Sequence, residues 1–314
     1  MMSDSKRDVL CLGLMVSDIF ISPVEPEVFN VDSWQVDEPV FQMGGDALNQ
    51  AIILHRLGLD VALAGCVGQD VFGDNLLCQL RNIGIDTGLV ERTADASTAT
   101  SFVLRRHSGE RHFLSARGAA DVFHFKNFDA LTGFKMLSIG SLWGQKTMDT
   151  QGSVPLLKEA KAKGLVTAAD MTFDCNGVGI PSLLRLLPYI DYLFPSLEEG
   201  RSLTGEQKPE AIVRSLLKHG VRNVILKLGD KGCYYLCGEQ SGYSPAVPTK
   251  VIDTTGAGDN FTAAFLAGLA RGFSPGDCAR LGSFAGAWCV ENVGATSAVY
   301  TFQSLEESLD QELY

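Results

Sequence analysis

The chain has 314 residues, 46% hydrophobic and 20% charged, which excludes wholesale disorder and collagen-like architecture and is ample for one α/β core. Its 26 basic and 37 acidic residues leave a net charge of -11. That balance repels a nucleic-acid backbone, and the longest basic cluster, Arg105, Arg106 and His107, reads as a solvated strand end.

Eight cysteines are scattered through a chain too long to need disulfide staples, which points to a reducing compartment. Cys233 and Cys237 form the only close pair and lack the further ligands of a tetrahedral zinc set. Near the start, Lys6-Arg7 ahead of the apolar run from Val9 to Val16 imitates a secretion signal, but Asp18 cuts the run short and no small-residue cleavage site follows. No later apolar run reaches membrane-spanning length. The expected setting is the cytoplasm, with neither a membrane nor a nucleic acid as partner.

In chain order, Val9 to Leu14 predicts a buried strand, Asp46 to Leu57 a helix ended by Gly58, and Val61 to Val67 a second buried strand. The alternation resumes with a strand from Met136 to Ile139, a helix from Val154 to Lys163, a strand from Leu165 to Ala169, a helix from Pro181 to Leu187 and a strand from Tyr192 to Phe194. A helix from Glu210 to Lys218 and a strand from Val224 to Leu228 follow. Strands separated by helices of this length pair in parallel, with the helices on the sheet faces. Val36 to Met43 and Thr98 to Leu114 break the rhythm and read as strands, the second folding back at His107 to Glu110 as a hairpin. They predict a small sheet over one end of the core, a lid drawn from roughly residues 18–43 and 97–117 of a single-domain chain. Two helices, Ala257 to Arg271 and Pro275 to Val290, end the globular part, and Ser304 to Leu313 reads as an exposed acidic helix.

The most informative segment is Asp253-Thr254-Thr255-Gly256-Ala257-Gly258-Asp259, which leads directly into a helical run. Its glycines free the backbone to tighten, so the amides of Gly256, Ala257, Gly258 and Asp259 converge where the helix dipole adds positive potential. Such a site suits a transferring phosphoryl group, and the Asp259 carboxylate beside it can accept a hydroxyl proton. A second segment, Gly44-Gly45-Asp46-Ala47-Leu48-Asn49, lets a ligand approach the backbone before a helix and supplies Asn49 as donor and acceptor, which suits a polyol. Asp18, read as lying just after the first strand, can accept two hydrogen bonds from adjacent hydroxyls.

Through both segments, in order across nearly the whole chain, the sequence resembles the PfkB-type carbohydrate kinases, the ribokinase-like family. The resemblance implies a three-layer α/β/α core with a mainly parallel sheet and a β lid. It implies Asp259 as catalytic base, Gly256 to Gly258 as anion hole, and Asp18, Gly44, Gly45 and Asn49 as sugar contacts. Tyr192-Leu193-Phe194-Pro195-Ser196-Leu197-Glu198-Glu199 is similar to the family's Pro-Asn-x-x-Glu stretch, which gives Glu199 a role toward magnesium through water; Ser196 replaces the asparagine. Nucleotide contacts are implied for Lys227, Gly229 and Gly232, and Ser283 stands where the family often has an asparagine near adenine. Asp253, the Thr255 carbonyl and the region from Gly294 to Ser297 resemble the family's monovalent-cation site, where potassium shapes the anion hole. The implied cofactors are ATP and Mg2+, with K+ as a third.

Gly140-Ser141-Leu142-Trp143-Gly144-Gln145-Lys146-Thr147 nearly spells a Walker A loop, but Gln145 stands where a tight phosphate cradle needs glycine. A loop near the substrate is expected instead. Asp46 at the sugar site repels a phosphate already on the acceptor, which favours a neutral sugar or polyol, unless Arg105, Arg106 or Arg111 of the lid turns inward. The competing readings are a nucleoside kinase of the same fold and a sugar-binding sensor that has lost turnover. Exposed lid edges suggest a homodimer.

Overall fold

In the computed structural model, which describes residues 6–174 and 176–311, the chain opens with β1 (Arg7–Gly13) and passes directly into β2 (Val16–Ile21). Next come β3 (Val40–Gly44), α1 (Asp46–Arg56), β4 (Val61–Gly68), α2 (Val71–Asn82) and β5 (Asp86–Thr93). A hairpin of β6 (Thr100–Arg105) and β7 (Arg111–Ala116) precedes the short α3 (Ala119–Val122). The alternation then runs through β8 (Phe134–Leu142), α4 (Ser153–Ala162), β9 (Val166–Met171), α5 (Ile180–Leu184) and β10 (Tyr192–Phe194). It continues with α6 (Leu197–Thr204), α7 (Pro209–Lys218) and β11 (Asn223–Lys227). The antiparallel β12 (Cys233–Cys237) and β13 (Gln240–Ser244) precede α8 (Ala257–Ala270), α9 (Pro275–Val290) and α10 (Phe302–Gln311).

Among the described residues nine strands form one sheet in the order β13-β12-β11-β10-β9-β8-β1-β4-β5. Every pair from β11 to β5 is parallel, and only β12 and β13 run antiparallel. Because successive side chains of a strand point to opposite faces, β1 feeds two cores. Val9 and Cys11 belong to one buried core with Leu48 of α1 and Phe265 of α8, whereas Leu10 and Leu12 belong to a second with Leu156 of α4 and Leu216 of α7. Burial on both faces is why the inner strands read as continuous apolar runs. Among the described residues no helix is long and apolar enough to cross a membrane.

The second sheet has four strands in the order β3-β2-β6-β7, with β2 and β6 parallel and the outer pairs antiparallel. Its register places Asp18 opposite both Gln42 and Ser101. Asp18 therefore sits in the middle of β2 rather than in a turn after the first strand. Regular pairing in the preceding segment begins only at Val40, not at Val36. The tail also differs from expectation: Phe302, Leu305 and Leu309 of α10 are buried, with the Phe273 ring edge-on to Phe302 at 5.6 Å. A spacing of three and four residues gives this acidic helix one apolar face, and that face packs on the core. Leu313, the expected end of that helix, and Cys175 lie outside the described residues.

Candidate active site

The carboxyl ends of β1 and β8 bring the site together, as expected where strand order reverses in an open α/β sheet. Gly13 pairs with Gly140 across these strands. A Cβ on Gly140 would lie 2.4 Å from the Ala47 nitrogen, so its absence lets the start of α1 close on the strand end. On the other side, Gly256 caps α8 in the left-handed region at φ 76, where a Cβ would also strike the Ala295 Cβ at 2.3 Å. The Ala257 N–H makes a long turn bond, 3.3 Å, to the Thr254 carbonyl.

This first turn of α8 divides two cavities. One, about 370 Å³, is lined by Asp18, Gly45, Asp46, Asn49 and, from the α8 turn, Thr255, Gly256 and Asp259. The other, about 490 Å³, is lined by Lys227, Gly229, Gly232, Ser283 and, from the same turn, Thr254, Ala257 and Gly258. Successive residues of one loop thus face opposite chambers, with Asp259 on the side opposite Lys227, Gly229 and Gly232.

Asp259 is 6% exposed and accepts from Asn49 Nδ2 at 2.8 Å and from Gln50 Nε2 at 3.4 Å. Burial, followed by the Asp46 and Asp170 charges, pushes its pKa well above the ordinary carboxylate range. A carboxylate so displaced has more drive to take a proton once it is ionised. Behind it lies a polar layer that sequence reasoning did not identify. Asp170, at the end of β9, accepts from Lys227 Nζ at 2.6 Å, the Met171 N–H at 2.8 Å, Thr262 Oγ1 at 2.9 Å and Gln50 Nε2 at 3.3 Å. Gln50 is held in turn by Ser138 Oγ at 3.0 Å. The available signal was an acid closing the apolar run of β9 at its carboxyl end. Burial disfavours charge on Lys227, but Asp170 and Glu199 outweigh it and raise its pKa. Gly258 leaves room for this lysine, whose Nζ would lie 3.1 Å from a Cβ there.

Asp18 stands on the first chamber's wall; Gly44 does not line that chamber, but a Cβ on it would overlap Asp18 Oδ2 at 2.1 Å, so this glycine admits the carboxylate. Burial and the neighbouring Asp46 push the Asp18 pKa up to about 7. Asp46, itself raised by burial, accepts from Ser141 Oγ. Ser141 belongs to the loop resembling a Walker A motif, which lies beside this chamber as expected. Its Trp143 and Gln145 N–H groups are engaged by the Asp149 carboxylate at 2.9 and 2.8 Å, so they are not offered to a phosphate. Arg117 lines the same chamber, and its Nη2 has no hydrogen-bond partner among the described residues.

Ser196 does not line the second chamber. It caps α6, accepting from the Glu199 N–H at 3.2 Å, while Glu199 Oε2 accepts from the Ser196 N–H at 2.7 Å in a capping box. Ser283 lines the chamber, where its hydroxyl donates to the Ala279 carbonyl at 3.1 Å. Among the described residues no group of three or more His, Cys, Asp or Glu is placed to hold a metal ion. One buried glutamate with a single oxygen outside its cap fits a magnesium ion that brings its own waters and phosphates, and not an all-protein cage. Of the residues resembling a monovalent-cation site, Asp253 is buried and bonded to the Thr255 and Gly294 N–H groups at 2.8 and 3.0 Å, while Ser297 is exposed. Arg111 of β7 also donates to the Asp253 carboxylate.

A pfkB family carbohydrate kinase profile matches residues 6–301. An uncharacterized sugar kinase of Archaeoglobus fulgidus is 30% identical over 244 residues, covering 77% of this chain and 96% of its own. Fructokinase-1 of Oryza sativa subsp. japonica is 30% identical over 82% of this chain and 81% of its own. The structure of Arabidopsis thaliana ribokinase complexed with ribose and ATP superposes with a TM-score of 0.84 at 24% identity, covering 97% of this chain and 99% of that one. The chain belongs to the pfkB family of carbohydrate kinases, and it is a sugar kinase, a phosphotransferase with an alcohol group as acceptor.

Proposed function

We propose that the enzyme transfers the γ-phosphoryl group of ATP to a primary hydroxyl of a small neutral sugar or polyol. The observation that carries this reading is the single turn of α8 shared by two chambers, which supports acceptor binding on the Asp259 side and nucleotide binding on the Lys227 side. Asp18, Gly44, Gly45 and Asn49 hold the acceptor, and Asp259 takes the proton of the attacking hydroxyl. The backbone from Gly256 to Gly258 stabilises charge on the transferring phosphoryl oxygens, with the dipole of α8 behind it. Lys227, Gly229, Gly232 and Ser283 contact the nucleotide. Magnesium, held through water by Glu199, neutralises charge between the β- and γ-phosphates when bound. The small sheet acts as a lid that excludes water and limits ATP hydrolysis.

The partnerless Arg117 Nη2 favours a second reading, an acceptor carrying a carboxylate or phosphate. A coupled ADP-release assay over neutral sugars, polyols, sugar acids, sugar phosphates and nucleosides separates the two. Neutral acceptors are expected to give the highest kcat/KM. Turnover confined to anionic acceptors would transfer the assignment to Arg117, and turnover with none would leave a sensor.

A further inference from the structure

Resting on phosphoryl transfer at the first turn of α8, we propose that Arg111 of the small sheet replaces the monovalent cation beside the anion-hole loop. Closure of that sheet then completes the loop's electrostatics, and potassium is not required.

The oxygens that would bind a cation are already engaged. Asp253 is 6% exposed, and its Oδ1 accepts from the Thr255 N–H and from Arg111 Nη1, while Oδ2 accepts from the Gly294 N–H. Arg111 Nη1 also donates to Thr255 Oγ1, and Nη2 lies 3.4 Å from Thr254 Oγ1. The Thr255 carbonyl has the Cys289 thiol at 3.4 Å, and the Ala295 carbonyl accepts from Asn260 Nδ2 at 2.8 Å. A potassium ion at Asp253 would have to displace a guanidinium that already neutralises this carboxylate, so the residues present do not fit the ion.

The arginine also has a geometric role. It reaches from β7, one edge of the small sheet, to the loop that separates the two chambers. From the opposite edge, β3, Gln42 packs so closely on Gly294 that a Cβ there would lie 2.2 Å from its Oε1. Gly294 and Asp253 are bonded to each other, so both edges of the small sheet grip one connected structure beneath the anion hole. Without a counter-charge, Asp253 would oppose the phosphoryl oxygens gathering a few residues away. Arg111 removes that opposition only while the small sheet is docked.

The test compares wild type, Arg111→Ala and Arg111→Lys in potassium and in tetramethylammonium salts, reading the Kd for magnesium-ATP by calorimetry, the melting temperature and kcat. Wild-type values are expected to agree between the salts within about twofold, whereas Arg111→Ala loses about tenfold in ATP affinity in tetramethylammonium and regains part of it, with a higher melting temperature, in potassium. Arg111→Lys should stay near wild type. Wild-type affinity or melting temperature that depends strongly on potassium would overturn the proposal, as would an alanine variant matching wild type in both salts. Absence of magnesium-ATP binding in every protein would instead defeat the kinase reading, while the melting temperatures would still report on the cation.

Discussion

Asp18 stands in β2 against Gly44, and burial, with the charge of Asp46 beside it, pushes its pKa up to about 7. An ionised carboxylate accepts hydrogen bonds from sugar hydroxyls more strongly than the protonated acid. The acceptor's kcat/KM should therefore carry a rise as pH increases through about 7, beside the one that ionisation of Asp259 contributes; Asp18→Asn should lower kcat/KM and remove only the Asp18 component. The stability sign is opposite: a carboxyl whose folded pKa is raised supports the empty fold below the unfolded value and loses that support as pH climbs through the folded one. The melting temperature of unliganded wild type should accordingly carry a downward component from Asp18 between about pH 4 and 7, absent in Asp18→Asn. Lys227 presents a different case. Replacing it by Met strands the buried Asp170 and Glu199 without their cation, at a cost of about 3–5 kcal/mol, so Lys227→Met should melt well below wild type in calorimetry. Asp259 and Asn49 were legible because each sits in a short glycine-rich pattern whose chemistry is local. Asp170, Gln50 and Arg117 were not, because they act through partners that only the tertiary fold brings near.

At the scale of elements, α1, α4, α7, α8 and α9 and the buried parallel strands announced themselves through long apolar periods, and α8 and α9 fall within one residue of their expected bounds, whereas the helices α2 and α6 were not foreseen. The strands that escaped notice have mixed burial. β5 lies at the edge of the large sheet with exposed and half-buried positions interleaved, and β2 follows β1 so closely that the two read as a single run. A half-buried edge strand has no strong period for the sequence to display. In the proposed reaction the start of α8 is the element on which most depends. Gly256→Ala places a Cβ in the left-handed region and against Ala295, a strain of about 1–3 kcal/mol. It should lower the melting temperature by several degrees and reduce kcat more than the acceptor's KM, because the displaced amides face the transferring group rather than the sugar.

For the whole molecule, the outward face of the small sheet aligns Phe41, Ile19, Phe102 and Leu114 in one cross-strand row, and three of the four are exposed. Such a row on the small sheet is a surface suited to a second copy of the chain. Light scattering is expected to give a dimer, and Phe102→Glu should shift it to monomer; a wild-type monomer at assay concentrations would remove that expectation. In the proposed reaction one turn of α8 joins an acceptor chamber to a nucleotide chamber, with Asp259 as the base between them. The most direct test follows label from γ-labelled ATP onto the best acceptor for wild type and Asp259→Asn, with nucleotide affinity measured in parallel. Wild type is expected to give a labelled sugar phosphate, and the variant a fall of about 10²–10⁴-fold with ATP binding retained. Equal transfer by the two proteins, or label passing only to water, would contradict that reaction.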